Sequence, residues 1–300
     1  MAGGKSFLDY NPKLTDECLQ VLALLLSGIG EYRNSIVLIG GLTPHVLVKR
    51  KPPEVDAYTG TGDIDLVMDL AVMGDPDTYS AFEEVLQAQG FKSLAEEGKP
   101  SWKWQFITDS GTKIRLEFLM DDPSLDSSKV KPIPPHGVLA ACNIRHSSIA
   151  FDLYETVTIQ VELPGGRGVT KQDIRHANLV AFTALKIFAF RNRGEGKDAH
   201  DLVYCLQHCG RDMADIAAHF VQALAGKHAA IIQQALDDLA TTFGDEKDIE
   251  GFKKDGPARA ARFEIDGDST EDRERRLIRQ RDFAGVVNRL LTEIAKQRAK

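Results

Sequence analysis

The sequence predicts an α+β protein: a small mixed sheet flanked by helices, followed by a helical half. Two observations carry this prediction. Apolar runs of strand length, punctuated by glycine and proline, recur through the first 165 or so residues. From about Asp173 to the end the apolar residues recur at helical spacing instead. Neither an internal repeat nor a low-complexity tract interrupts the pattern. The expected division is a core domain over 1–165 and a helical C-terminal domain over 166–300 that closes the cleft of the first.

An amphipathic stretch from Leu14 to Leu26 opens the chain as a helix, with Thr15 as N-cap and Asp16 and Glu17 in the first turn. The run Ser35-Ile36-Val37-Leu38-Ile39 reads as a buried strand ending in the pair Gly40-Gly41. A helix begins near Leu42 and carries His45, Val46 and Val48. Lys49 to Gly62, with Pro52 and Pro53, is a loop. A strand over 64–70 follows, then a helix from Thr78 to Gln89 stopped by Gly90.

Trp102–Ile107 and Lys113–Leu119, joined through Asp109-Ser110-Gly111, read as a β-hairpin. Asp121 to His136 is a polar, proline-rich loop. Thr156 to Leu163 alternates as a strand and closes at Pro164-Gly165-Gly166. Helices are expected over 173–191, 198–208, 211–224, 227–243 and 271–299, with polar Gly244–Asp268 as a linker.

Composition narrows the class. The chain has 300 residues, 43% hydrophobic and 27% charged, enough for a sizeable core. Its apolar runs are too short to span a bilayer, and Met1-Ala2-Gly3-Gly4-Lys5 lacks the apolar core of a signal peptide, so a cytoplasmic protein is expected. A formal charge of −7 argues against broad salt-driven nucleic-acid binding. Basic residues cluster at Lys49-Arg50-Lys51, Arg191–Lys197 and Arg273–Arg281, each by default a solvated face. Cys18, Cys142, Cys205 and Cys209 lack zinc-finger spacing and read as core thiols; a metal site from Cys205, His208 and Cys209 with His200 is the alternative.

Chemistry concentrates in Thr61-Gly62-Asp63-Ile64-Asp65-Leu66. On a strand, positions i and i+2 share a face, so Asp63 and Asp65 project together while Ile64 and Leu66 turn into the core. Adjacent carboxylates repel unless a cation sits between them, and magnesium is the usual one. The plain alternative is an acidic strand end that caps a turn. Glu117 lies opposite the apolar set of its strand and would bring a third carboxylate, which a two-metal site requires.

Together these features resemble the nucleotidyltransferase superfamily built on the DNA polymerase β-like fold. Ala184-Leu185-Lys186-Ile187-Phe188-Ala189-Phe190-Arg191, followed by Lys197-Asp198-Ala199-His200-Asp201-Leu202, resembles the signature of its AbiEii branch, the toxins of type IV toxin–antitoxin and phage-abortive systems. The likeness spans residues 35 to 208. It implies that Gly40 and Gly41 contact phosphates, that Asp63 and Asp65 bind magnesium (or manganese in its place), and that Glu117 is a third ligand or the base. It also implies that Lys186 reaches the triphosphate and that Asp198 completes the site.

Thr61 touches a phosphate or closes the turn. Arg191 pairs with an acid or lines the nucleotide pocket. Lys186 has the alternative of a core lysine whose stem snorkels, and Asp198 that of a helix cap. Two departures stand out. Twenty-one residues separate Gly41 from Asp63, more than is usual in the family, and Tyr58-Thr59-Gly60-Thr61-Gly62 replaces its Arg-Ser/Thr. The implied activity is transfer of a nucleotidyl group from an NTP to a tRNA 3′ end or a protein hydroxyl, restrained by a cognate antitoxin. The alternatives are a small-molecule (aminoglycoside-type) nucleotidyltransferase and a non-catalytic nucleotide-binding scaffold.

Overall fold

A computed structural model describes Phe7 and residues 12–49, 53–54, 58–69, 76–96, 99–133 and 139–299. Arg50, Lys51, Pro52 and the first five residues, all singled out in the sequence, lie outside that set, as do Leu70 and His136. The protein is α+β, and its sheet mixes parallel with antiparallel pairs. It divides into two compact units: Asn11–Val46 with Gly60–Asn178, and Leu47–Thr59 with Leu179–Lys300 and Met1–Tyr10.

The sheet unit holds β1 (Ile36–Ile39), β2 (Asp63–Met68), β3 (Lys92–Ser93), β4 (Lys103–Ile107), β5 (Lys113–Met120), β6 (Val130–Pro132), β7 (Ala140–Asn143), β8 (Tyr154–Glu162) and β9 (Val169–Ala177). Their order is β3-β4-β5-β2-β1-β9-β8, with β7 alongside the end of β5 and β6 beside β7. At the centre β2 runs antiparallel to β1 and parallel to β5. Its alternation is what lets the sheet do two jobs. Ile64, Leu66 and Met68 join Leu116 and Phe118 in the main core under helices α1 (Pro12–Gly28) and α3 (Pro76–Gln89), while Asp63 and Asp65 take the other face.

Phe82 of α3 meets Phe118 edge-on at 5.6 Å, and Cys18, Leu22 and Leu25 of α1 fill the same layer. Each fully buried side chain of this size contributes about 1.5–3 kcal/mol. The opposite face is closed toward Val67 and Leu119 by a 3-10 turn, Ser147–Phe151, packed on β1, β2, β5 and β9. A short helix, α2 (Thr43–Leu47), follows the glycine turn. Gly90, with φ +98°, ends α3 as expected.

The hairpin β4–β5 and the strand ending at Pro164-Gly165-Gly166 match the expectation. Three details differ. Thr15 does not cap α1: it lies inside the helix, where its hydroxyl accepts the Thr61 N–H at 3.0 Å. The residues from Asp173 continue the sheet as β9, so the sheet unit runs past 165 and the helix expected from 173 begins at Leu179. Two short strands carry no sequence signal: β7, whose small residues are all buried, and its partner β6, which lies inside the expected loop from Asp121 to His136.

The helical unit contains α4 (Leu179–Arg193), α5 (Gly196–His208), α6 (Met213–Leu224), α7 (Ala229–Phe243), α8 (Asp255–Glu264) and α9 (Thr270–Arg298). Asp212 caps α6, and a reciprocal Ser269–Asp272 box caps α9. The expected linker contains α8, which is short and polar but presents small residues to its neighbours. A Cβ on Gly256 would come within 2.5 Å of the Phe243 ring. The basic stretch of α9 is only partly solvated. Arg276 donates to the Ile265 and Gly267 carbonyls, and Arg279 pairs with Glu264 at 2.9 Å.

Cys18, Cys142 and Cys205 are buried thiols, as expected. Among the described residues no helix is long and apolar enough to cross a membrane.

Candidate functional site

The acidic face of the sheet unit follows from strand register. In the parallel β2–β5 pair Asp63 sits opposite Arg115 and Asp65 opposite Glu117; in the antiparallel β4–β5 pair Lys103 also sits opposite Glu117. All five therefore occupy one face. On the other side of β2, Ile39 is in register with Asp65, so the chain reaches Gly40 beside that carboxylate.

Gly40 adopts φ +73°, where side chains are disfavoured, and a Cβ there would fall inside the Asp65 carboxylate. Gly41 continues the same 3-10 turn into Leu42. Thr61 closes the turn before β2: its hydroxyl accepts the Asp63 N–H at 3.2 Å, and its carbonyl accepts from the Cys18 thiol.

Cations lean over this face. Arg115 approaches Asp63 at 3.6 Å and Glu117 at 3.9 Å, and Lys103 approaches Glu117 at 3.4 Å. Lys103 also lies 4.2 Å over the Trp102 ring. Burial pushes the Glu117 carboxyl above the ordinary range, Lys103 pulls it back, and the charge of Asp63 raises it again. Glu117 is more enclosed than Asp63, with a side chain 15% exposed against 45%.

The donor chemistry fits a hard divalent cation: carboxylate oxygens from adjacent strands on one face, next to a backbone stripped of Cβ. Among the described residues, no three His, Cys, Asp or Glu side chains are drawn together on one point. The ion pairs with Lys103 and Arg115 are long and partly solvated, a class that exchanges readily.

Lys186, Asp198 and Arg191 belong to the helical unit. There Lys186 of α4 donates to Asp198 and Asp201 of α5, each at 2.9 Å. Arg193 grips Asp198 through two hydrogen bonds of 2.6 and 2.8 Å. Lys197 donates to Asp201 at 2.7 Å and to the Tyr58 hydroxyl at 2.9 Å. Burial opposes the charges of this cluster, yet Asp198 and Asp201 hold the Lys186 ammonium well above its usual value. In return Lys186, with Arg193 for Asp198 and Lys197 for Asp201, holds both carboxyls below theirs despite burial.

Lys186 is thus neither solvated nor snorkelling; its buried ammonium is held between two carboxylates inside the unit. Asp198 does not cap α5, because Glu195 occupies the N-cap and the Asp198 side chain serves the ion network. Arg191 points elsewhere and pairs with Asp238 at 3.4 Å.

The structure therefore gathers Gly40, Asp63, Asp65 and Glu117 in one unit and Lys186 with Asp198 in the other, and leaves Arg191 out of both groups. Sequence reasoning gave no site role of their own to Lys103, Arg115, Asp201, Lys197 and Tyr58, although the last three stand in segments it singled out. Lys197 and Asp201 carried a signal in their i, i+4 spacing. Lys103 and Arg115 follow from Glu117 once the hairpin register is drawn. Tyr58, at a separation of 139 residues from Lys197, carried none. In comparisons with family models, curated proteins and solved structures, nothing matches this chain.

Proposed function

We propose that the protein is a magnesium-dependent nucleotidyltransferase on a polymerase β-like core. In this reading it transfers NMP from an NTP to the hydroxyl of a tRNA 3′ end or a protein, in the cytoplasm, as the toxin of an AbiEii-type pair with a cognate antitoxin. One observation carries the reading: Asp63, Asp65 and Glu117 share a face, with Asp65 in register with Glu117 and packed against Gly40, where a side chain would clash with it.

Asp63, Asp65 and Glu117 would hold magnesium or manganese. Bound there, the ion supplies positive charge to the triphosphate and to departing pyrophosphate. The missing β-carbon of Gly40 makes room for the Asp65 carboxylate against the turn, and Gly41 continues the turn where phosphate would approach. Where Glu117 is the base rather than a ligand, its burial, which raises its proton affinity, suits it to accept the proton of the acceptor hydroxyl. Lys103 and Arg115 neutralise the carboxylates until the nucleotide arrives and can then turn to its phosphates. Lys186 serves as a positioning group: it fixes Asp198, which orients the half-exposed Arg193 guanidinium.

The test is incubation with each α-labelled NTP, magnesium, total tRNA and total cell protein, beside Asp65→Ala. Label on RNA or protein with the wild type alone is the expected result. Absence of magnesium-dependent NTP binding would overturn the reading.

A further inference from the structure

Strand β8 ends the sheet, and among the described residues no strand pairs with its outer edge. Its register against β9 is unbroken from Tyr154↔Ala177 to Glu162↔Val169, without a bulge, and it contains no proline. Neither a bulge nor a proline blunts this edge, and its charges are Glu155 and Glu162.

The phase of its backbone can be read from both ends. Leu163 N–H donates to Gly168 O, and Asn178 N–H donates to Leu153 O. Odd-numbered residues of β8 therefore form the hydrogen-bonded pairs with β9. The N–H and C=O of Tyr154, Thr156, Thr158, Gln160 and Glu162 point outward.

We propose that a second copy of this chain pairs with β8, antiparallel about a two-fold axis through Thr158. The reason is self-complementarity. With Thr158 opposite its own copy, Thr156 faces Gln160 and Tyr154 faces Glu162. On the other side of the sheet Val157 faces Ile159, extending the half-buried apolar row packed against the core, and Glu155 faces Val161. Neither glutamate meets a like charge. Every outward group finds a partner, giving about ten new hydrogen bonds at two per hydrogen-bonded pair. Centring the axis on any other residue shortens the ladder. The interface is isologous, so it closes as a dimer rather than growing into a fibre. This inference is independent of the proposed chemistry.

The test uses the full chain with Cys209→Ser, since the other cysteines are buried. Paired Cα atoms at the two-fold lie about 5.5 Å apart, within disulfide reach. Mild oxidation should therefore convert Thr158→Cys to a covalent dimer, while Thr156→Cys or Gln160→Cys alone dimerises without a cross-link and a mixture of the two cross-links. Light scattering should give a doubled mass for the wild type and a single mass for Thr158→Pro. The outward N–H of Thr158 serves no bond to β9, so proline spares the monomer. Thr158→Lys, which can pair with Asp173 within its own chain, supplies a second folded variant with like charges across the axis. A monomeric wild type, a dimer that survives both substitutions, or cross-linking that ignores register would each overturn the proposal.

Discussion

The carboxylate of Asp65 occupies the space that a side chain at position 40 would need. The two positions come from antiparallel neighbours, with Ile39 in register with Asp65, so the glycine and the acid are one feature of the sheet.

Gly40→Ala should therefore cost about 1–3 kcal/mol, from its positive φ and from the clash. In an Asp65→Ala background the contacts with the carboxylate disappear and only the one with the Asp65 Cβ, at 2.9 Å, remains, so the cost should fall toward that of the φ alone, about 1–2 kcal/mol. A double-mutant cycle in urea reads the coupling; strictly additive costs would refute the shared-space account.

Glu117 should trade stability for function. Its folded carboxyl holds a proton more tightly than the unfolded one, chiefly through burial, so its ionisation above about pH 4.3 works against the fold. At pH 7 Glu117→Gln should raise the thermal midpoint and abolish any shift produced by magnesium. A lower midpoint would show that the ion pairs with Lys103 and Arg115 outweigh burial.

Lys186→Met leaves Asp198 and Asp201 buried with less compensation and should destabilise the helical unit by about 3–5 kcal/mol. Arg193→Met, at a half-exposed partner of the same Asp198, should cost no more than about 1 kcal/mol. Chemical denaturation followed by far-ultraviolet dichroism compares them, and equal losses would contradict the network.

Acid should act on the same cluster. Asp198 and Asp201 have folded values held below the unfolded one, about 3.9, so their contribution is complete above that value and is lost as pH falls through the folded values. Lys186 has the opposite sign: its contribution is present below about pH 10.4 and is lost only as pH rises through its raised folded value. Helical signal should therefore fail between about pH 4 and the folded values. Both tryptophans, Trp102 and Trp104, lie in the sheet unit and report on it separately. Asp201→Asn should flatten the acid transition; an unchanged profile would place its origin elsewhere.

Much of the sheet was legible because its signals are local. Alternation exposed β2 and the hairpin, and two glycines marked the turns at Gly40 and Gly90. Asp63, Asp65 and Glu117 were legible for the same reason, since period-two geometry alone puts them opposite the core. What escaped was set by distant packing. Helix α8 is held by close approach of Gly256 to Phe243 and of Gly196 to the Arg259 carbonyl, which no local pattern announces. Strand β9 was merged with the following helix because Ile174 and Ala177 stand three apart, as on a helix face, although the strand buries the alternating set Gln172, Ile174 and His176. The partners of Lys186 were visible as residues, but its pairing with both carboxylates depends on how α4 meets α5.

The assignment of Leu47–Thr59 to the helical unit has a consequence for synthesis. Tyr58 leaves the ribosome long before Lys197, its hydrogen-bond partner, exists, and Phe7 long before His200, whose ring it meets edge-on at 5.9 Å. The sheet unit can be complete once Asn178 has emerged, whereas the helical unit must wait for its own C-terminus and then recover a segment held between two strands of its neighbour. A gene cut after residue 178 would deliver a helical fragment without Tyr58 and Phe7, so the two units are separate in packing but not in inheritance.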